Sequence, residues 1–99
     1  MQIAGRVALV TGAGRGIGRA LCRELRQRGA AGIVVADLDG AMAEATATEL
    51  GGIGLQCDVA DAAAVHGVVD AAVARFGRVD ILVSNAGLGV KALDLDNAL

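Results

Sequence analysis

The 99-residue sequence contains no proline, no tryptophan and no tyrosine, and phenylalanine occurs once, at Phe76. Without proline, with no low-complexity run and with no repeat of solenoid length, it has neither a stiff linker nor a repeat architecture. Cysteine occurs only at Cys22 and Cys57, which form no CxxC pair and no metal-spaced cluster. A disulfide framework and a cysteine zinc site are thereby excluded, and the two are read as buried reduced thiols of a cytoplasmic protein. The one histidine, His66, has no acid or cysteine beside it and reads as a surface side chain. A net charge of −2 gives no basic footprint, so neither nucleic acid nor an acidic membrane is an expected partner. The longest apolar runs are of strand length, far short of a membrane span. The first residues, Met1 to Arg6, lack the basic and apolar regions of a signal peptide.

Apolar residues nevertheless make up 55% of the sequence, supplied mostly by Ala, Val, Leu and Ile, and glycine occurs 15 times. Small apolar residues in short runs suit buried parallel strands covered by helices. Arg6–Val10 reads as a first strand ending in Thr-Gly. Gly16–Arg28 turns helical, with Ile17, Leu21 and Leu25 on one face and Gly29 as a left-handed stop. Arg19, Arg23, Arg26 and Arg28 fall on the polar side of that helix and read as a solvated face. A second strand over Gly32–Asp37 precedes a helix over Ala41–Leu50, for which Asp39 is the cap. A third strand spans Ile53–Asp58, and a helix capped by Asp61 carries the stripe Val65, Val68, Val69, Ala72, Val73 and Phe76. Gly77 ends it, and Val79–Val83 is a fourth strand; Leu88–Leu99 reads as a loop or the start of a helix. The order βαβαβαβ gives an α/β fold, a Rossmann-like doubly wound parallel sheet with right-handed crossovers.

In such a sheet ligands sit beyond the carboxyl ends of the strands, where Thr11–Gly18 falls. Glycines there allow a tight turn and let a pyrophosphate reach the backbone, and the helix that follows offers free N–H groups and a positive dipole end. A literal GxGxxG does not fit, because position 17 is Ile; the fit is Thr11-Gly12-x-x-x-Gly16-x-Gly18. Asp37 follows 19 residues beyond Gly18, at the tip of the second strand. A carboxylate there accepts hydrogen bonds from an adenosine ribose and repels a 2′-phosphate, which favours NAD over NADP. Leu38 adds no positive charge beside it, while the cation at Arg15 argues modestly the other way.

These residues resemble the short-chain dehydrogenase/reductase family. Thr11–Gly18 is similar to its TGxxxGxG cofactor motif, and Cys57-Asp58-Val59 resembles the Asp-Val pair after the third strand. Phe76–Gly87 resembles the fourth strand and its NNAG motif, with Asn85, Ala86 and Gly87 matching and Ser84 in place of the first Asn. The resemblance implies a dinucleotide site built from Gly12, Arg15, Gly16, Ile17, Gly18, Asp37, Leu38, Asp58, Val59, Asn85, Ala86 and Gly87. Asp58 and Val59 would meet the adenine, and Asn85 would serve a structural and cofactor-side role. The implied activity is hydride transfer between a nicotinamide and a small alcohol or carbonyl substrate.

The family's catalytic set is a Ser, a Tyr-x-x-x-Lys pair and often a helical Asn, the Tyr acting as acid/base and the Lys lowering its pKa. None of these roles carries over. There is no Tyr, the only Lys is Lys91, and Ser84 and Asn97 fall at the wrong places. Asp94 and Asp96 are not read as a carboxylate pair or a metal site. Residues 1–99 are therefore expected to be an NAD(P)-binding half-domain that stops after the fourth strand, marginally stable alone because that strand would be an uncovered edge. A homo-oligomer is expected only of a full-length enzyme. Two other readings stay open: a catalytically inactive nucleotide-binding or interaction module, and another Rossmann-like class such as a methyltransferase, against which the Asp-Val and Asn-Ala-Gly elements speak.

Overall fold

Val7–Thr11, four apolar residues and a threonine, form β1, buried along its whole length. In the computed structural model residues 2–85 are described in full and residues 91–94 through their backbone. The elements that follow are α1 (Gly16–Gln27), β2 (Gly32–Asp37), α2 (Gly40–Leu50), β3 (Ile53–Gln56), α3 (Ala62–Phe76), β4 (Ile81–Ser84) and β5 (Lys91–Asp94). The sheet order is β3-β2-β1-β4-β5. The first four strands are parallel, as the alternation of strands and helices predicts, with β1 central and paired to both β2 and β4.

The helix ends follow local chemistry. Asp39 caps α2 by accepting from the Met42 N–H, and Asp61 caps α3 by accepting from Ala63 and Ala64. Gly29, Gly51 and Gly77 take φ of 91°, 71° and 84° just past the three helices, where a side chain would be strained. The third and fourth strands are shorter than the apolar runs suggest, Ile53–Gln56 and Ile81–Ser84.

Alternation along the strands divides the core into two layers. Ala8, Val10, Ile33, Val35, Ile81 and Val83 pack under α1 and α2 with Cys22, Leu25, Ala43 and Ala47. Leu9, Val34 and Ala36 face α3, where Val68 and Ala72 are buried and Phe76 lies partly buried against them. Gly54, inside β3, has a clear purpose: a Cβ there would stand 2.5 Å from the Ala43 carbonyl oxygen, so its absence lets the α2 backbone lie directly on the strand.

Three expectations are corrected. Ile17 is not part of the buried stripe of α1: it is 66% exposed, and the stripe is Gly18, Cys22 and Leu25. The first turn of α1 approaches the preceding loop through Gly18, and its neighbour is turned outward. Val73 is likewise exposed, while Val65, Val68, Val69, Ala72 and Phe76 of the predicted stripe hold α3 down. Within Leu88–Leu99, residues Lys91–Asp94 are strand, antiparallel to β4 in the register Ile81↔Asp94 to Ser84↔Lys91. The open N–H and C=O groups of β4 are a template for pairing, so four following residues satisfy them and β4 is not an uncovered edge. Asp94 and Lys91 lie in this strand; Ala86, Gly87, Asp96 and Asn97 lie outside the described residues.

At the amino end of the sheet Asp80 ties β4 to β1. Its N–H donates to the Val7 carbonyl at 2.9 Å, and its Oδ2 accepts the Val7 N–H at 2.8 Å. Oδ1 accepts from Arg78 Nε at 2.6 Å, and the side chain is almost fully buried. Burial alone would raise the pKa of this carboxyl. The Val7 N–H, the Arg78 hydrogen bond and charge, and the more distant Arg6 outweigh burial and hold it below the ordinary carboxylate value. A depressed folded-state pKa means stability that is present above the unfolded value, about 3.9, and is lost as pH falls through the folded one. Asp80→Asn is expected to lose about 1–3 kcal/mol at pH 7 and to approach the unsubstituted chain near pH 3. Urea unfolding of both at the two pH values measures this; an equal deficit at both would show that the charge is not involved.

Cys22 is fully buried in the α1 layer, and burial pushes its thiol up to about 12. The Cys57 thiol is also raised, by burial first and then by Asp58 and Asp61. Neither is a thiolate at pH 8. Ellman's reagent should therefore find no rapidly reacting thiol in the folded chain and two in denaturant; one fast thiol in the native state would contradict the packing.

Candidate functional site

The loop from Thr11 to Arg15 leaves β1 between β2 and β4, the point where strand order reverses and ligands of such sheets bind. Gly12 and Gly16 have φ of 64° and 62°, a left-handed backbone that side chains disfavour. The two differ in surroundings. A Cβ on Gly12 would stand 2.2 Å from the Asn85 carbonyl oxygen, whereas one on Gly16 would meet nothing within 4 Å. Gly12 is thus required by packing, and Gly16 keeps an open face over the loop.

Gly18, in the first turn of α1, is an equally close backbone approach. Its Cβ would lie 2.2 Å from the Gly12 carbonyl oxygen and 2.8 Å from Ala13 Cα. The helix end so placed has no side-chain cap: Arg15 is its N-cap residue and its side chain makes no capping bond, unlike Asp39 and Asp61 at the other two helices. Free N–H groups and a positive dipole end therefore face the mouth of the loop. Arg15 and Ile17 are exposed beside it.

Asn85 joins the loop from β4. Its side-chain Nδ2 donates to the Gly12 carbonyl at 3.1 Å, and its backbone N–H donates to Thr11 Oγ1 at 3.3 Å. Asp37 joins it from β2: Oδ2 accepts the Gly14 N–H at 2.9 Å and Oδ1 accepts the Asp39 N–H at 2.9 Å. The acid at the strand tip is thus buried and gripped by two backbone amides, with further lone pairs on the same oxygens. Leu38 is 65% exposed next to it. Asp58 and Val59 follow β3 at the same end of the sheet; both are exposed, and Asp58 Oδ1 accepts the Ala60 N–H at 2.9 Å to close a turn.

Of the twelve residues singled out from the sequence, ten are described: Asp37 is the last residue of β2, the other nine lie in the segments that follow the carboxyl ends of β1, β2, β3 and β4, and Ala86 and Gly87 lie outside the described residues. One contributor went unread. Thr46, fully buried on α2, donates its hydroxyl to the Gly14 carbonyl at 3.2 Å. Only the polar hydroxyl among apolar helix neighbours could have signalled it, and that is weak because Thr often bonds within its own helix. Of the arginines read as a solvated face, Arg23, Arg26 and Arg28 are exposed and Arg19 is half-buried; Arg19 and Arg23 pair with Glu49 of α2, and Arg28 with Glu24. His66 is exposed on α3. Among the described residues no His, Cys, Asp and Glu cluster is placed to hold a metal ion, and no helix is long and apolar enough to cross a membrane.

The sequence pattern of short chain dehydrogenases matches residues 6–98. This chain belongs to the short chain dehydrogenase family. It is 49% identical over 92 residues to D-threitol dehydrogenase of Mycolicibacterium smegmatis, covering 88% of this chain and 35% of that one. It is 46% identical over 89 residues to the 3-oxoacyl-(acyl-carrier-protein) reductase of Escherichia coli, covering 89% of this chain and 36% of the other. The chain thus spans about a third of the length of these relatives. Among solved structures it is similar to a short chain dehydrogenase/reductase of Burkholderia phymatum in complex with NAD, with a TM-score of 0.78 and 36% identity. That likeness covers 83% of this chain and 31% of the other. A 3-ketoacyl-(acyl-carrier-protein) reductase of Brucella melitensis complexed with NADH gives a TM-score of 0.77 and 40% identity, over 81% of this chain and 34% of that one.

The geometry at Gly18 sets a sign. Alanine is the better helix former by about 1 kcal/mol, so an unobstructed helix glycine gains from the exchange. Gly67 in α3 meets that condition, since a Cβ there would have nothing within 4 Å, whereas Gly18 does not. Gly67→Ala should raise stability by about 0.5–1 kcal/mol, and Gly18→Ala should lower it by about 1–3 kcal/mol through overpacking. Thermal melts of the two variants check the opposite signs.

Proposed function

We propose that residues 1–99 are the dinucleotide-binding portion of an NAD-dependent oxidoreductase that moves a hydride between the nicotinamide and a small alcohol or carbonyl compound. The observation that carries this is the uncapped first turn of α1, set by Gly18 against the Gly12 carbonyl and opening at Gly16 onto free space. A pyrophosphate fits such a cradle because the N–H groups of the turn are unspent and no Cβ blocks the approach. The family membership and the dinucleotides named with two similar structures support the same reading. When bound, the nicotinamide supplies the hydride donor or acceptor; the residues of this chain bind and orient.

In this reading Gly12, Arg15, Gly16, Ile17 and Gly18 hold the phosphates. Asp37 and Leu38 meet the adenosine ribose, Asp58 and Val59 flank the adenine, and Asn85, Ala86 and Gly87 shape the floor on the β4 side. Asp37 favours NAD. Its oxygens accept from Gly14 and Asp39 and have lone pairs left for ribose hydroxyls, and a second negative group beside a buried carboxylate is repelled. The exposed guanidinium of Arg15 is too freely solvated to offset that repulsion.

The acid/base step needs a proton donor of the Tyr-Lys type, and no Tyr is present among these residues. We assign that step to sequence other than these 99 residues, and with it the substrate pocket and any homo-oligomer contact. The same absence favours a second reading, in which the chain acts as a binding module without turnover of its own. The two buried free thiols fit a cytoplasmic protein. Titration with NADH and NADPH, followed by nicotinamide fluorescence, is expected to give binding at least about tenfold tighter for NADH, a difference of roughly 1.4 kcal/mol. Tighter binding of NADPH would overturn the role given to Asp37, and binding of neither would overturn the dinucleotide reading.

A further inference from the structure

Gly14 occupies a position that the TGxxxGxG pattern leaves open, yet side chains from two other elements crowd it. A Cβ there would stand 2.9 Å from Met42 Cβ and 3.1 Å from the carboxyl carbon of Asp37. Both polar groups of this glycine are taken by side chains. Its N–H donates to Asp37 Oδ2 at 2.9 Å, and its carbonyl accepts the hydroxyl of Thr46 at 3.2 Å. Thr46 has no solvent-exposed surface, and it comes from α2, 32 residues away. Its reach depends on α2 lying directly on β3, which Gly54 permits.

We propose that Thr46 is a positioning residue for the dinucleotide, acting through Gly14 on Asp37. The inference rests on the dinucleotide reading above. The physical argument is that Gly14, lacking a side chain, has no rotamer or Cβ contact to fix its orientation, so hydrogen bonds at both ends must do so. With the carbonyl held by Thr46, the N–H is aimed at Asp37 Oδ2, and that bond fixes which carboxylate lone pairs remain for ribose hydroxyls. Loss of the hydroxyl leaves a buried carbonyl without its donor, and the glycine turns to seek another. Asp37 is then free to rotate, which weakens its grip on the ribose and its exclusion of a 2′-phosphate together.

The test compares the full chain with Thr46→Val, which keeps the volume and removes the hydroxyl, and Thr46→Ser, which restores it. Thr46→Val is expected to weaken NADH binding about three- to tenfold and to narrow the preference for NADH over NADPH, with Thr46→Ser close to the parent in both. Amide exchange at Gly14 should quicken by a similar factor, while Leu9 and Val34 in the core strands keep their rates. Thr46→Ala carries the same expectations and serves where Thr46→Val does not fold. An unchanged NADH to NADPH ratio with slower or equal exchange at Gly14 would overturn the proposal, as would a Thr46→Ser chain behaving like Thr46→Val. A parent chain that binds neither dinucleotide overturns the functional reading instead, and the Gly14 exchange rates then judge the clamp by itself.

Discussion

The carbonyl of Gly12 is the point on which the rest of the site depends. It receives the Asn85 side-chain amide from β4 and lies against the Cα of Gly18 in α1, so one oxygen sets the distance between a strand, a loop and a helix. Neither contact tolerates a displaced neighbour. A hydrogen bond of 3.1 Å fixes one side, and a separation that excludes even a methyl group fixes the other. The free N–H groups of α1 point where they do because that helix can approach no other way.

From that contact the remaining arrangement follows in layers. The central position of β1 lets the loop touch β2 on one side and β4 on the other, which is why acids and amides from both strands converge on it. The α2 helix enters through Gly54 and Gly14, two places where backbone meets backbone or an adjacent Cβ without a side chain between. Electrostatics then divides along the strand axis. The amino end is closed by the Asp80 and Arg78 pair around Val7, and at the carboxyl end the first turn of α1 has no side-chain cap.

Much of this was legible in the sequence because it is local. The caps Asp39 and Asp61, the stops at Gly29 and Gly77, and the alternation of strand and helix depend on residues within a turn of one another. The placement of Asp37, Gly16 and Gly18 was legible because a motif of glycines and an acid encodes it. What could not be read is set by tertiary contact. Ile17 continues the apolar period of α1 but faces outward, since Gly18 decides which side of the first turn meets the loop. The strand at Lys91–Asp94 arises from the unpaired edge of β4 and not from any strong strand pattern of its own. Thr46 has no sequence neighbour that hints at Gly14, because their proximity is made by a glycine on a third element.

The Asn85 amide that completes the loop comes from 73 residues along the chain, and the Val7 to Asp80 tie spans the same 73. The loop's final shape therefore requires that the most sequence-distant strand pair, β1 and β4, be closed. Until then its glycines are conformationally free and offer no defined cradle. Any molecule that needs the finished cradle binds only the closed chain, so by mass action its presence stabilises the β1–β4 pairing. Occupancy of the site and closure of the sheet are, in that sense, linked equilibria.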